Sequence, residues 1–471
     1  VKVEFFFIFL AYIAFLLLMS FIFSKRMKDI VDFFLASRNL SGFLVYLTLC
    51  ASWFGATSTL VSSDQAYEAG LSSFWIMGVP AMLTVLFLGL FLVRPIRQLP
   101  LVSLPDLVEM RYGRAVRHLA SLLVIWYMVV LAASQMVAIG HFLKSFLGTS
   151  YLKSLALGTA VVLIYSIFGG LRSVAIADGI KFFLIVAGLF SLLFFLFGLS
   201  SLKDVSLLAS RLGKSQYFNF FFDFKKNILI VLSFTLAWTI SPIAWQRIKA
   251  ARTVKDARGA LFSASVTFFL LYGTVVLTGM LSLPLFASRK LANPLYSEII
   301  SSSSGFFLRE VLFVGVVAAI MSTMAAAINT GALSLTRDVW QQLFPSSREK
   351  GIIFASRLST LLVGGLAFLV ATRFQSILKT LGLASEIMAE GLFIPGMAMI
   401  FLKRKFPLAG LLSLVFGGGF SSLGFLSEMK LLPLRWIPWP FSVPYGLGLS
   451  LVGFIAGLAI EKWGKKDRPL F

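Results

Sequence analysis

Apolar runs long enough to cross a lipid bilayer, about 18 residues or more, recur from one end of this chain to the other. They constrain the fold more than any motif, because each reads as a membrane-spanning helix. Thirteen are expected, near 3–24, 42–67, 72–93, 119–143, 152–168, 174–199, 228–246, 261–285, 306–336, 352–372, 381–402, 408–427 and 441–461. Only 13% of the 471 residues are charged, against about 25% in soluble domains, and the mean hydropathy is +0.91. The run from Val3 to Ser24 is too long for a signal-peptide core and has no small-residue cleavage pattern, so it is kept as a span. No window is polar enough for a soluble domain, and the expectation is a single all-α membrane domain over 1–471.

The net charge of +22 does not point to nucleic acid, because Lys and Arg lie in short loops between spans. Alternate loops differ. The richer set includes Lys25, Arg26, Lys28 and Arg38; Arg94, Arg97, Arg111, Arg114 and Arg117; Arg172; Arg247, Arg252 and Arg258; Arg337, Arg348 and Lys350; Lys403 and Arg404; and Lys462 to Arg468. That side is expected to be cytoplasmic, with the N-terminus outside and the C-terminus inside, as an odd number of spans requires. The single cysteine, Cys50, excludes an internal disulfide. His118 and His141 fall near span ends, and no Cys/His cluster resembles a metal site.

The stretch Gly315–Asp338 is apolar yet rich in small residues, with hydroxyls at Ser322, Thr323, Thr330, Ser334 and Thr336. Small residues let helices approach closely, so this span is expected inside the bundle. Ser322 and Thr323, one turn after Ala319, offer hard oxygens to a small cation; equally, such hydroxyls bond back to a carbonyl of their own helix. Two other spans look interrupted. Cys50–Gln65 packs Ser, Thr and Gly into mid-membrane, and Ala237–Arg247 carries Pro242, whose missing N–H frees a carbonyl. They are the second and the seventh span. Interrupted helices at matching positions of two halves indicate an inverted repeat with the substrate site between them. The halves would be 42–200 and 227–405, with peripheral helices at 3–24 and 408–463. Trp53 and Gln135, facing Trp238 and Ser241, are candidates for the walls of a solute cavity.

Four stretches resemble the sodium/solute symporters, whose members carry proline, sugars, pantothenate and monocarboxylates. They are YSIFGGLRSVAIADGIK (Tyr165–Lys181), the SLPDLVEMRYGR part of Leu99–Arg114, Ala318–Asp338 and Ala51–Leu71. The resemblance implies a LeuT-type five-plus-five fold with flanking helices. It also implies a Na+ site made by the carbonyls of Ala51, Phe54 and Ala319 and the hydroxyls of Ser322 and Thr323. Asp178 matches the family's acidic position, which implies a role in sodium exit or in a second ion site.

Ionisable residues inside spans are functional candidates, because burying them is costly. Lys181 lies within i,i+3 reach of Asp178, so the two can pair. Glu386 and Glu390 lie on one face of the eleventh span; they could bind a cationic group of the solute, carry a proton, or pair with Arg373 or Lys379. Asp64 and Glu68 are expected near the outer mouth and solvated. Asp106 and Glu109 are expected to pair with Arg111 and Arg114, and Arg247, Arg252 and Arg258 to act as topological anchors. The expected function is import of a small organic solute with Na+ across the cell membrane by alternating access. The alternatives are a proton-coupled or uncoupled carrier using Glu386 or Glu390, and a membrane sensor of the same fold, which would need a signalling domain where this chain ends shortly after its last span. No Ser/His pair, HExxH or Gly-rich phosphate loop suggests an enzyme.

Overall fold

The computed structural model describes residues 2–24, 35, 38–98, 103–168, 171–288, 291–303, 305–345, 349–402 and 404–466. Lys25, Arg26, Lys28, Gly169, Gly170, Arg348, Lys403, Arg468 and the first residues of the Leu99–Arg114 motif lie outside the described residues. Among those described, all regular structure is helical apart from one isolated parallel bridge between Leu40 and Ala251.

A peripheral helix, α1 (Lys2–Ser24), comes first. The first five core elements follow. They are α2 (Gly42–Trp53) with α3 (Ser62–Ala69); α4 (Phe74–Phe87) with α5 (Val93–Gln98); then, after the short α6 (Leu104–Tyr112), α7 (Arg114–Leu147), α8 (Tyr151–Phe168) and α9 (Leu171–Leu199). A surface helix, α10 (Leu202–Arg211), leads to the second five. These are α11 (Phe224–Thr239) with α12 (Pro242–Ala250), then α13 (Val254–Leu281). After a short α14 (Leu295–Ser302) come α15 (Phe306–Ser334), α16 (Glu349–Arg373) and α17 (Ile377–Phe401). Two further helices close the chain, α18 (Pro407–Glu428) and α19 (Val443–Lys466).

Thirteen spans were expected. Among the described residues nine helices are long and apolar enough to cross a membrane, or ten if the bent pair α11–α12 counts as one; Glu4–Leu18, Gly42–Trp53 and Tyr151–Ile167 are shorter apolar helices. A broken element stands at Gly42–Ala69 and another at Phe224–Ala250.

Side-chain size sorts the helices by depth. In α15, Ala318, Ala319, Ala325, Ala326 and Ala327 are all fully buried, and the helix packs against α7 and α9. Small residues at these contacts let the backbones come close. Phe183, Phe194, Leu366, Leu369 and Ile455 instead project outward from α9, α16 and α19, as lipid-facing surfaces require.

The basic end is fastened by ions. Ser103 caps α6: its Oγ accepts from the Asp106 N–H at 3.2 Å, while Asp106 Oδ2 accepts from the Ser103 N–H at 3.1 Å. This reciprocal arrangement is a capping box. Arg117 at the start of α7 then meets three carboxylates, Asp106 at 2.9 Å, Asp338 at 3.1 Å and Glu109. Ser103 and Ser334 donate to the two oxygens of Asp338 at 2.7 and 2.9 Å. Glu109 also pairs with Arg114, so the expected pairing holds in part, but Arg117 is its hub. At the opposite end Tyr217, in the loop after α10, donates to the carbonyls of Ala66 and Tyr67 at 2.9 and 3.1 Å. Burial pushes this phenol well above its ordinary range, so the brace stays protonated and able to donate.

Removing Arg117 strands buried carboxylates, which costs about 3–5 kcal/mol. Arg117→Gln should therefore lower the melting temperature markedly, and Asp338→Asn in the same chain should recover part of the loss. The check is a thermal-melt double-mutant cycle in detergent; strictly additive losses would contradict the coupling.

Candidate ion and solute site

The first break lies where α2 ends. Phe54 has φ −90° and ψ 73°, so the backbone leaves the helix, and it resumes in a π-helical turn at Thr57–Val61. The carbonyl of Ala51, in the last turn before the break, accepts from Ser322 Oγ at 2.8 Å. Ser322 Oγ also lies 2.9 Å from the Ala319 carbonyl, and Thr323 Oγ1 lies 3.3 Å from that same carbonyl. The second contact is the back-bonding expected of a packing role; the first reaches across to another helix. One serine hydrogen thus serves two carbonyl oxygens, leaving a buried cluster rich in lone pairs and poor in protons.

Beyond the break, the Ala56 N–H donates to Gln135 Oε1 at 2.9 Å. Gly55 is needed between them, because a methyl there would sit 2.5 Å from Thr323 Oγ1 and 2.7 Å from Gln135 Oε1. Gln135 therefore does more than line a cavity: it satisfies backbone that the missing helical turn exposes, which hydrocarbon would not.

The second break separates α11 from α12, whose axes bend by 42°. Pro242 opens α12, and the Thr239 carbonyl is taken by the Trp245 indole N–H at 2.9 Å. Between the two breaks lies a cavity lined by Trp53, Gln135, Trp238, Ser241 and Thr323 together with Ser52, Gly55, Thr57, Ser58, Tyr127 and several apolar residues. The rings of Trp53 and Trp238 are 5.5 Å apart; Trp53 stacks on Phe268 at 6.1 Å and Trp238 on Phe234 at 5.0 Å. The structure thus brings four of the six expected solute residues together. Glu386 and Glu390 are not in the lining. Ser442, just before α19, donates to Glu386 Oε1.

A polar cluster continues from the cavity floor. Asp178 Oδ2 accepts from Thr48 Oγ1 at 2.9 Å and Ser52 Oγ at 3.4 Å, and Lys181 Nζ lies 3.6 Å from Oδ1. Arg247 was expected as a loop anchor but is 1% exposed. It donates to Ser52 Oγ at 3.0 Å and to Gln246 Oε1 at 2.7 Å, and Thr330 reaches the same Gln246 oxygen at 3.2 Å. Arg247 belongs to α12 itself, ahead of the turn that follows Ala250, so the helix carries it inward. Asp64 likewise is not simply solvated: it accepts the Leu295 N–H at 2.7 Å, capping α14. Sequence reasoning missed Tyr127 and Arg247. Tyr127 carries no signal within an apolar helix, whereas a Gly flanked by Phe54 and Ala56 in a Ser/Thr-rich stretch was a legible sign of the break.

Two broken helices clasping a central cavity define a LeuT-type membrane transporter. A Na+-coupled sialic acid symporter, in a substrate-bound outward-open state, superposes with a TM-score of 0.81 at 16% identity, over 97% of each chain. The sodium:solute symporter family matches residues 33–417, and this chain belongs to it. It is similar to the sodium/glucose cotransporter of Vibrio parahaemolyticus, at 23% identity over 90% of this chain and 84% of that one. It is also similar to the high-affinity proline transporter PutP of Bacillus subtilis (strain 168), at 24% over 76% and 78%. The chain is therefore a multi-pass secondary transporter, not an enzyme, that couples solute entry to sodium by alternating access.

Gln135→Leu should leave the Ala56 N–H unsatisfied, a cost of about 1–3 kcal/mol. The expected readout is a rise of roughly tenfold in the Na+ concentration giving half-maximal thermal stabilisation. An unchanged midpoint in a folded variant would contradict the capping role.

Proposed function

We propose that Na+ is held by the carbonyls of Ala51, Phe54 and Ala319 and the hydroxyls of Ser322 and Thr323, and that the solute occupies the cavity between Trp53 and Trp238. The observation that carries this is the Ser322 hydroxyl, 2.8 Å from a carbonyl beside the break in one helix and 2.9 Å from a carbonyl of its own. Rotating the hydroxyl hydrogen away turns the group into a hard-oxygen ligand set of the kind small cations take. Discontinuous helices that offer such oxygens are the usual ion sites of secondary transporters.

Solute recognition then falls to the Gln135 amide, the Ser241 hydroxyl and the two indole faces. No charged side chain is among the cavity's described lining residues, which favours a small solute presenting hydroxyls or a ring face over one recognised by a carboxylate. The relatives named above are a sugar and a proline carrier, so sugars and compact amino acids are the first to test. Asp178 already has Lys181, Thr48 and Ser52 as partners. That supports a role on the path by which sodium leaves, rather than a second ion site. The halves 42–200 and 227–405 act as the two repeats, with 3–24 and 408–463 peripheral. The basic end, with Arg97, Arg117 and Arg252, faces the cytoplasm, which puts the N-terminus outside and the C-terminus inside.

The test is Na+ titration by thermal shift, followed by Na+-driven uptake of the solutes that stabilise the protein. Ser322→Ala/Thr323→Ala should lose the Na+-induced shift and uptake together. Full uptake by the folded double variant would remove this site.

A further inference from the structure

Glu390 is enclosed where α17 meets the last two helices, and nothing in the solute path uses it. It is 0% exposed, and among the described residues neither carboxyl oxygen has a hydrogen-bond partner. The surrounding backbone is shaped to it. A methyl at Gly446 of α19 would overlap Glu390 Oε2, and one at Gly417 of α18 would overlap the Glu390 carbonyl. Glycine at 446 makes room for the side chain itself, and glycine at 417 lets α18 close on the backbone that carries it.

Its electrostatic surroundings are sparse. Glu386 lies one turn away on the same helix and accepts from Ser442. The ionisable residue of α18, Glu428, is in a salt bridge with Lys379. In α19, Val443–Ile460 contains Tyr445 alone, which is 58% exposed. In α7, the stretch from Leu119 to Gly140 offers only Tyr127; α11 from Ile228 to Thr239 and the turn Thr57–Val61 offer none. In α6, Asp106 and Glu109 pair with Arg117, while Arg111 lies near Tyr112, which donates to the Pro395 carbonyl at 2.8 Å. No cation among these stands against Glu390.

A carboxylate with neither counter-ion nor donor is among the costliest groups to bury in a membrane, and taking up a proton abolishes the charge. A metal ion fits less well. Among the described residues no group of three His, Cys, Asp or Glu comes together to hold one, and no hydroxyl bonds to Glu390. We propose that Glu390 is a proton-binding site in the seam between α17, α18 and α19, separate from the solute cavity, with Glu386 as its neighbour. The ligand is H+ itself, exchanged when the seam between the transport helices and the two last helices loosens. This assignment does not depend on where Na+ binds, so loss of the Ser322/Thr323 site would leave it standing.

The experiment is an infrared pH titration of the full-length protein reconstituted in lipid, without solute. Wild type should show a protonated-carboxyl C=O band that shifts in D2O and disappears as pH rises; E390Q should lack that band. E386Q should keep it and move its midpoint. If E390Q does not fold, the wild-type and E386Q titrations decide. The proposal is overturned if the band is absent at every pH, if it persists unchanged while the protein remains folded, or if E390Q retains it. It is equally overturned if Na+ at fixed pH removes the band in the Ser322→Ala/Thr323→Ala protein, which would make the seam a sodium site.

Discussion

The contact between the Ser322 hydroxyl and the Ala51 carbonyl stands at the centre of the architecture. A bilayer-embedded helix cannot simply stop, because each backbone group it abandons needs a partner. Here the abandoned groups are met from two neighbouring helices, by Ser322 on α15 and by Gln135 on α7. The interruption survives only because those two helices hold their side chains against it. The requirement also explains why α7 and α15 are the most enclosed of the long helices: each must reach a break at the middle of the bundle.

Polarity is distributed along one column. The oxygen cluster at Ala51 and Ala319 lies beside the Asp178–Lys181–Arg247 group, which Ser52 links to the cavity. Further along α15, Thr330 joins Gln246, and Ser334 joins Asp338 in the Arg117 cluster. One helix therefore carries hydroxyls that touch the Ala51 carbonyl beside the first break, the Gln246 amide oxygen that Arg247 also reaches, and the Asp338 carboxylate at the basic end. Shifts of α15 relative to α2 and α12 would be felt at all three.

The class of the fold was legible because long apolar runs admit little else, and because Pro242 and the Gly55 region disturb their runs visibly. The four cavity residues were legible from mid-span aromatic and amide placement. Which way a helix faces was not. Helices that are apolar all round carry no clear stripe, so hydropathy could not say that Glu390 turns to α18 and α19 rather than to the cavity. Nor could it say that Arg247 points inward while still inside a helix. The partnership of Ser322 with Ala51 joins residues 271 apart in sequence; only the family resemblance suggested it, since spacing along the chain says nothing about it.

The two interruptions are chemically unlike. Around Phe54, Gly55 and Ala56 every residue keeps its N–H, so a regular ladder is at least stoichiometrically complete there. Pro242 has none, and the neighbouring Thr239 carbonyl is already engaged by an indole. Joining α11 to α12 into one rod would leave that helix a hydrogen bond short and kinked at the proline. Winding is therefore costlier at that joint than at the first, so swivelling of two preformed segments is favoured there, whereas the first joint retains the freedom to wind and unwind.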